Sequence, residues 1–381
     1  MKMLTALGIM SGTSLDGVDY ALCSVGDRRV RLLRHWQVKF PPRLERRLHD
    51  AARDASSSYE LAQLHHDLGR FYARHAQDST SGIRPELAGL HGQTIFHNPS
   101  RKGPATLQLG EPAYLAEALR VPVVSNFRVA DLAAGGQGAP LATIFHQNVF
   151  AREGQHVCVN NLGGISNVTS IDWAKGAEPT LTAFDTGPAN MLIDMAMRYF
   201  TQDRNRMDRN GSWAARGTAS AELVEQWLRH PYFAKSPPKS TGRELFGEPF
   251  WQRVLPQMRK ARLSKFDIVA TLTEFTGRSI ALSYHRHLSS WPQTIILTGG
   301  GAANPTLVKV IRAASQSFAP SIRVMRSDAL GWPLQTIEPA AFALLAYLRV
   351  QGQPGNLPET TGASRPVRLG QISEPWFRVA R

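Results

Sequence analysis

Four short stretches of this chain gather the residue types that handle phosphate and protons. The first, "GIMSGTSLDGVDYALCSV" from Gly8 to Val25, begins and ends as buried strand but turns through Ser11, Gly12, Thr13 and Ser14. Backbone N–H groups and hydroxyls in such a tight turn suit phosphate oxygens. The second, "HVCVNNLGGISNVTSIDW", repeats the device of strand, glycine turn and strand around Gly163 and Gly164. The third, "IILTGGGAANP", ends an apolar strand in Gly299, Gly300 and Gly301, then offers Asn304-Pro305 as a helix start with proline in the first turn. Glycines let amides approach a ligand with no Cβ in the way, and a helix N-terminus favours an anion. The fourth, "TLTAFDTGPAN", ends a strand in Asp185. By type and position an Asp there is more often a helix N-cap than a catalyst. Within the second copy of a repeated plan it would instead face the cleft between the copies, where a carboxylate accepts a proton or helps to hold Mg²⁺.

Neither the phosphate-cradling Gly-x4-Gly-Lys-Ser/Thr pattern nor the dinucleotide Gly-x-Gly-x-x-Gly fingerprint occurs. The glycines therefore point to a nucleotide clamp of another kind. The elements that must carry them alternate. Strand-like runs from Met3–Met10 and Val18–Val25 through Leu181–Phe184, Thr294–Leu297 and Ile322–Met325 are separated by helical patterns. Leu61, Leu64, Leu68 and Phe71 share one helical face, as do Ile193, Met197 and Phe200, while Ala340 to Leu348 reads as a buried helix and the tail after Val350 as irregular. The class is α/β with mixed sheets, and the repeated strand-turn-strand suggests two copies of one plan.

With 381 residues the chain is long enough for two ordinary cores, and 43% hydrophobic with 19% charged residues describes a soluble globular protein. The opening residues lack the pattern of a signal peptide, and no apolar run reaches the length of a membrane span. Cys23 and Cys158 sit in strand-like runs and read as core residues of a reducing compartment, which implies the cytoplasm. The net charge of +14 raises the question of nucleic acid. Its densest patch, Arg28 to Leu48, alternates with apolar residues and carries no recognisable nucleic-acid motif, so a solvated face is the favoured reading and an anionic small substrate fits the charge equally well.

Strand-turn-strand twice over, Asp-x-Gly after a strand and a late triple glycine together resemble the actin, hexokinase and heat-shock ATPase superfamily. Within it, long strings from end to end resemble the anhydro-N-acetylmuramic acid kinase family: "GIMSGTSLDGVD", "HGQT" at His91, "FRVADLAAGGQGAPL" from Phe127, "NLGGISNVT", "FDTGPAN", "PKSTGRE" from Pro238, "TGGGAANP" and "GNLPETTGA" from Gly355. The resemblance implies two actin-like (ribonuclease H-like) domains with an interdomain cleft that closes on its ligands. They would span 1–135 completed by 338–381, and 136–337. It also implies that ATP is held by the first turn, Ser11, Gly12, Thr13, Ser14, Leu15, Asp16, Gly17, Val18 and Asp19, by the second, Gly163, Gly164, Ser166 and Asn167, and by Gly187, Gly299, Gly300, Gly301 and Asn304. Sugar kinases of the superfamily usually carry an Asp where this chain has Met10, which leaves the Mg²⁺ ligands open.

The reaction so implied consumes ATP and water and converts 1,6-anhydro-N-acetylmuramic acid into N-acetylmuramic acid 6-phosphate and ADP, in the recycling of cell-wall peptidoglycan. It needs a general base near the anomeric carbon as well as a phosphate clamp. Asp185 is the candidate base and Glu338 a candidate to orient the water; Glu338 reads equally well as an acidic first-turn residue complementing a helix dipole. By resemblance Phe127–Leu141 lies in the sugar pocket. Arg128 then suits the lactyl carboxylate, with Asp131, Gln137, Gln93 and His91 as further candidates. Lys239 and Arg243 either neutralise phosphate or cover the surface. The expected partners are the amino sugar and ATP, with no membrane, nucleic acid as the minority reading and a homodimer left open. A sugar kinase with a simple hydroxyl acceptor and a non-catalytic ATP-binding regulator are the competing readings.

Overall fold

The computed structural model describes residues 2–12, 15–26, 29–77, 82–100 and 102–376. The chain divides into two compact units, Met1–Val149 with Gln335–Arg381, and Phe150–Leu334. In the first unit β1 (Leu4–Ser11), β2 (Gly17–Gly26) and β3 (Arg29–Lys39) form an antiparallel meander. β4 (Leu87–Asn98) lies parallel to β1, β5 (Ala105–Leu109) pairs antiparallel with β4, and β6 (Val123–Ser125) runs parallel to β4. In the second unit β7 (Gln155–Leu162), β8 (Ile165–Trp173) and β9 (Thr180–Pro188) make the same meander, while β10 (Thr294–Thr298) lies parallel to β7 and β11 (Arg323–Arg326) parallel to β10. The chain then returns to the first unit, where β12 (Gln371–Ser373) pairs with β6.

Both sheets thus share one order, β3-β2-β1-β4-β6 in the first and β9-β8-β7-β10-β11 in the second. An antiparallel meander continued by parallel strands on its first member is the ribonuclease H-like plan. The doubled motif read from the sequence is therefore a doubled sheet topology. Cys23 and Cys158 stand on β2 and β7, both fully buried and unbridged, and burial pushes both thiols up to about 12.

Burial explains the central strands. β1 is buried along most of its length because both faces are covered, and a continuous apolar run satisfies that demand. Leu64, Leu68 and Tyr72 of the helix Ser58–Gln77 enter the first unit's core, with Leu61 and Phe71 packed against it. The helix Ile337–Val350 packs so closely on the sheet that a Cβ on Gly8 would lie 1.7 Å from the Pro339 carbonyl oxygen, and one on Gly89 would lie 2.2 Å from that of Phe342. Helix backbone rests on strand backbone at both points.

Three elements depart from expectation. The basic patch divides between the edge strand β3, whose Val30, Leu32, Trp36 and Val38 are half-buried while Arg31, His35 and Lys39 face solvent, and the helix Pro42–Ala51. The tail is not wholly irregular, since β12 lies within it. β9 does not end at Phe184: it runs through Asp185 to Pro188, and the following helix, Met191–Thr201, has Asn190 at its N-cap. Asp185 is therefore a strand residue and not a helix cap.

Replacing Gly89 by Ala drives a methyl group into a helix carbonyl that has no room to retreat. Urea unfolding should show a loss of about 3 kcal/mol, and unchanged stability would mean that the helix does not rest on β4.

Candidate active site

The second unit brings its three glycine segments together. The turn between β7 and β8 is held by the end of β9 and the start of the next helix: Asn190 Nδ2 donates to the carbonyls of Leu162 (3.1 Å) and Gly163 (2.9 Å), and the amides of Ala189 and Met191 donate to Gly164 (2.9 and 3.2 Å). The late glycines pack on this turn. A Cβ on Gly301 would sit 2.7 Å from Leu162 Cβ, and one on Gly299, where φ is +78°, would sit 2.2 Å from Asn161 Oδ1. Gly164 is exposed and a Cβ on Gly300 would meet nothing within 4 Å, so backbone is presented to solvent where the segments converge. The other expected residues of this cluster shape it from within. Ser166 is fully buried and its Oγ accepts from Asn160 Nδ2 (2.8 Å) and Thr186 Oγ1 (2.7 Å). Gly187 has φ +134° beside the Phe233 ring, and Asn304 Oδ1 caps the helix Pro305–Gln316 by accepting from the Leu307 amide (3.0 Å). The side chains of Ser166 and Asn304 are thus already engaged by the protein.

Asp185 stands opposite Asn167 across the β8–β9 ladder, beside a bulge at Ser166/Asn167 that re-aims the strand. It is gripped along its whole length. Its amide donates to the Lys239 carbonyl (3.1 Å), its carbonyl accepts from the Tyr232 hydroxyl (2.6 Å), and its Oδ2 accepts from the Thr241 amide (2.9 Å). Burial raises its carboxyl to about 6, with the Thr241 hydrogen bond opposing, Glu244 adding to the rise and Lys239 opposing. A carboxylate tuned toward neutrality and fixed by backbone is suited to taking a proton.

The first unit assembles a second cluster. Arg128 donates through Nε and Nη2 to His91 Nε2 (3.1 and 2.9 Å) and through Nη1 to the Gly138 carbonyl (2.6 Å). His91 Nδ1 donates in turn to the Gly92 carbonyl (2.7 Å), and burial together with Arg128 holds the imidazole well below its usual range. Both side-chain and main-chain acceptors of the guanidinium are therefore neutral. Burial lowers Arg128 only to about 10, with Glu338 and Asp131 opposing, so it stays cationic. Glu338 opens the helix Ile337–Val350; its side chain keeps contact with solvent, while the protein around it raises its carboxyl and Arg128 opposes.

Asp19, on β2, is raised to about 6 by burial, with Gln37 hydrogen-bonded to it and the charges of Glu338 and Asp16 adding to the rise. Ser11 Oγ is bonded to the Tyr72 hydroxyl (2.8 Å), Gly12 accepts from Gln93 Nε2 (3.0 Å), Leu15 has φ +61°, and the Asp16 carbonyl accepts from the Phe40 amide (3.0 Å). Gly17 and Val18 begin β2, with Gly17 pressed against the Val38 carbonyl. Thr13 and Ser14 lie outside the described residues. Gln93 is fully buried, and its Oε1 has no partner. Asp131, expected to meet the sugar, is fully buried with three protein donors on its carboxylate: the Gly138 amide, Asn356 Nδ2 and Thr361 Oγ1, each at 2.7 Å. It orders the loop that carries half-buried Gln137 and leaves no accessible oxygen. Among the described residues no group of three or more His, Cys, Asp or Glu could hold a metal ion.

Several participants were not legible beforehand. Thr241 and Tyr232 grip Asp185 from segments far along the chain, and no spacing signals them. Lys239, read as phosphate-neutralising or superficial, has 9% exposure and its Nζ lies 3.0 Å from His287 Nε2. Asp194, in the first turn after Asn190, is raised to about 7 by burial, with Arg198 opposing and Asp208 adding.

Residues 4–375 match the family model for anhydro-N-acetylmuramic acid kinase. The chain belongs to the anhydro-N-acetylmuramic acid kinase family. Relatives of that name from Synechocystis and Picosynechococcus are each 39% identical, over 96% and 98% of this chain and 97% and 100% of their own length. Among solved structures, the activator of 2-hydroxyisocaproyl-CoA dehydratase from Clostridium difficile with bound ADPNP is similar at a TM-score of 0.46 and 9% identity, covering 92% of this chain and 96% of its own. As an anhydro-N-acetylmuramic acid kinase, the chain is an ATP-using phosphotransferase acting on an amino sugar of peptidoglycan recycling.

Because Asp185 is raised in the folded protein, the native state holds its proton more tightly than the unfolded chain does. Its contribution to stability is present at acid pH and is lost as pH rises from about 4 through about 6. Asp185→Asn lacks this loss and keeps an acceptor for Thr241. Calorimetry should find its Tm gaining on that of the unsubstituted enzyme as pH rises across the window, whereas a widening deficit would mean that the carboxylate is stabilised in its charged form.

Proposed function

We propose that the kinase opens the anhydro ring with water as it phosphorylates the sugar, and that Asp185 is the general base. Water attacks C1, its proton passes to Asp185, the C1–O6 bond breaks, and O6 takes the γ-phosphoryl group as ADP leaves. The products are N-acetylmuramic acid 6-phosphate and ADP, and the proton on Asp185 returns to solvent. The observation that carries this reading is the fixation of Asp185: Oδ2 is held by the Thr241 amide, and Oδ1 has no partner among the described residues. With its carboxyl near 6, the group is ionised at neutral pH yet basic enough to accept a proton.

Glu338, whose carboxyl feels the charge of Arg128, is the second candidate carboxylate, with the attacking water or the anomeric hydroxyl as its partner. Arg128 receives the lactyl carboxylate, since two of its five N–H groups remain beyond those given to His91 and Gly138. Gln93 Oε1 accepts from a sugar hydroxyl, which would satisfy an atom that otherwise has no donor. In the second unit the backbone of Gly163, Gly164 and Gly299–Gly301 takes phosphate oxygens; in the first unit the segment Ser11–Asp19 is the candidate for the same task. Mg²⁺ would arrive as the counter-ion of the nucleotide, with phosphate oxygens and water as most of its ligands, which fits residues that provide no cluster of three ligands among those described. It would neutralise charge on the phosphates. Two buried free thiols and a need for ATP support a cytoplasmic setting.

Asp185→Asn should fold and bind both substrates but lose roughly 10²–10⁴-fold in turnover, as expected for removal of a general base. In ¹⁸O-water the unsubstituted enzyme should place label at C1 and none in the phosphate, by mass spectrometry. Label in the phosphate would mean that water attacks phosphorus, and near-normal turnover of the variant would remove Asp185 from the role. Arg128→Lys should weaken the anhydro-sugar by about 1–3 kcal/mol with ATP nearly unaffected. Equal losses for both ligands in calorimetry would move Arg128 out of the sugar site.

A further inference from the structure

Lys239 is the buried cation that the reaction as written does not use. Its ammonium reaches His287 Nε2 at 3.0 Å and the Tyr232 carbonyl at 3.5 Å, and it lies 4.9 Å from the ring centre of Tyr232 and 5.6 Å from that of Phe184. No carboxylate forms an ion pair with it among the described residues. Desolvating an ammonium without such a partner is costly, and aromatic faces and two neutral acceptors compensate only in part. A methionine or leucine would fill the space at lower cost, so the charge itself calls for a reason.

The reason lies in what the lysine is attached to. The backbone of residues 239–241 runs alongside β9 at Asp185: the Lys239 carbonyl accepts from the Asp185 amide, and the Thr241 amide donates to Asp185 Oδ2. The side chain turns away from this strap and fastens it to His287, the last residue of the helix Lys265–His287. Tyr232, over whose ring the ammonium sits, donates its hydroxyl to the Asp185 carbonyl. Every hydrogen bond that the described structure gives Asp185 outside the β-ladder therefore comes from the strap or from a residue that the Lys239 ammonium touches.

We propose that Lys239 is the positioning residue of Asp185, its buried ammonium pinning the strap at 239–241 so that the carboxylate is held for proton transfer. This rests on the reading of Asp185 as the base. His287 Nε2 also lies 3.0 Å from the Phe233 carbonyl, and a single ring nitrogen cannot donate to that carbonyl while accepting from the ammonium. Donation by the ammonium requires the accepting form of that nitrogen. The charged and titratable groups around the pair are Glu244 and Tyr232 beside Asp185, and Arg286, His287 and the same Tyr232 beside Lys239; burial and Arg286 lower the ammonium to about 8 while Asp185 opposes.

Lys239→Met keeps the apolar stem and removes the charge. With anhydro-sugar and ATP, its kcat should fall about 10- to 100-fold while both KM values stay within about threefold, the pattern of a displaced catalytic group. Because Lys239 favours the ionised carboxylate, the acid limb of kcat should also move to higher pH, by at least about half a unit. His287→Phe, which leaves the lysine but removes its acceptor, should lower kcat in the same direction by less, and it decides the matter if Lys239→Met does not fold. A selective rise in the KM for ATP would make Lys239 a phosphate contact. A lower Tm with unchanged kcat and acid limb would make it merely structural; either result overturns the proposal. Asp185→Asn run alongside separates the failures: if it keeps turnover, the base reading falls and takes the proposal with it, whereas if it loses turnover while both other variants keep theirs, only the role of Lys239 falls.

Discussion

The first unit depends on one contact, backbone against backbone, where the helix Ile337–Val350 crosses β1 at Gly8 and β4 at Gly89. No side chain fits between them, so the height and rotation of the helix over the sheet are set by the peptide groups themselves. The consequences follow outward. Glu338 opens the helix at a fixed place; Phe342 meets the rings of His91 and Phe127 at 4.6 and 5.2 Å, and Arg128 is then constrained by both His91 and the loop at Gly138. A larger residue at either glycine would lift the helix and carry Glu338 away from Arg128 with it.

The second unit solves the same problem with side-chain hydroxyls. The helix Lys265–His287 is lined with buried Thr and Ser residues; Thr276 donates to the Ala189 carbonyl (3.1 Å) and Ser283 to that of Thr186 (3.1 Å). Strand carbonyls that leave the ladder after Asp185 thus find donors on a helix instead of water. This matters because β9 must end in an irregular stretch, with Gly187 at positive φ, before Asn190 can reach back to the β7–β8 turn.

Charge is managed differently in the two units. Arg128 is half-buried against neutral acceptors and retains its charge because a guanidinium deprotonates so reluctantly. Lys239 is more deeply enclosed and carries an ammonium that burial weakens. Both carboxylates assigned to chemistry, Asp185 and Glu338, are pushed upward by the surrounding protein, each opposed by one of these cations. The recurring unit is an acid raised by its surroundings with a cation whose charge opposes the rise without forming a salt bridge.

Local chemistry made much of this readable in the chain. Glycine clusters after apolar runs, Asn304-Pro305 as a helix start, and the buried helix near the C-terminus are short-range facts, because turn conformation, capping and periodicity involve residues within one turn or strand of each other. Long motif strings carried the family for the same reason. β3 was readable in principle, since Val30, Leu32, Trp36 and Val38 alternate as an edge strand should, but its arginines drew the eye to charge. Tertiary structure alone decided which polar atoms are spent and which remain. Asp131 and Arg128 lie three residues apart, yet Asn356 and Thr361, more than two hundred residues away, saturate the first and leave the second with donors to spare. Lys239 is buried, and Asp185 lies in a strand gripped by residues 232–241, because hydrogen-bond satisfaction and desolvation are properties of the folded neighbourhood; they are not written in any local run of residues.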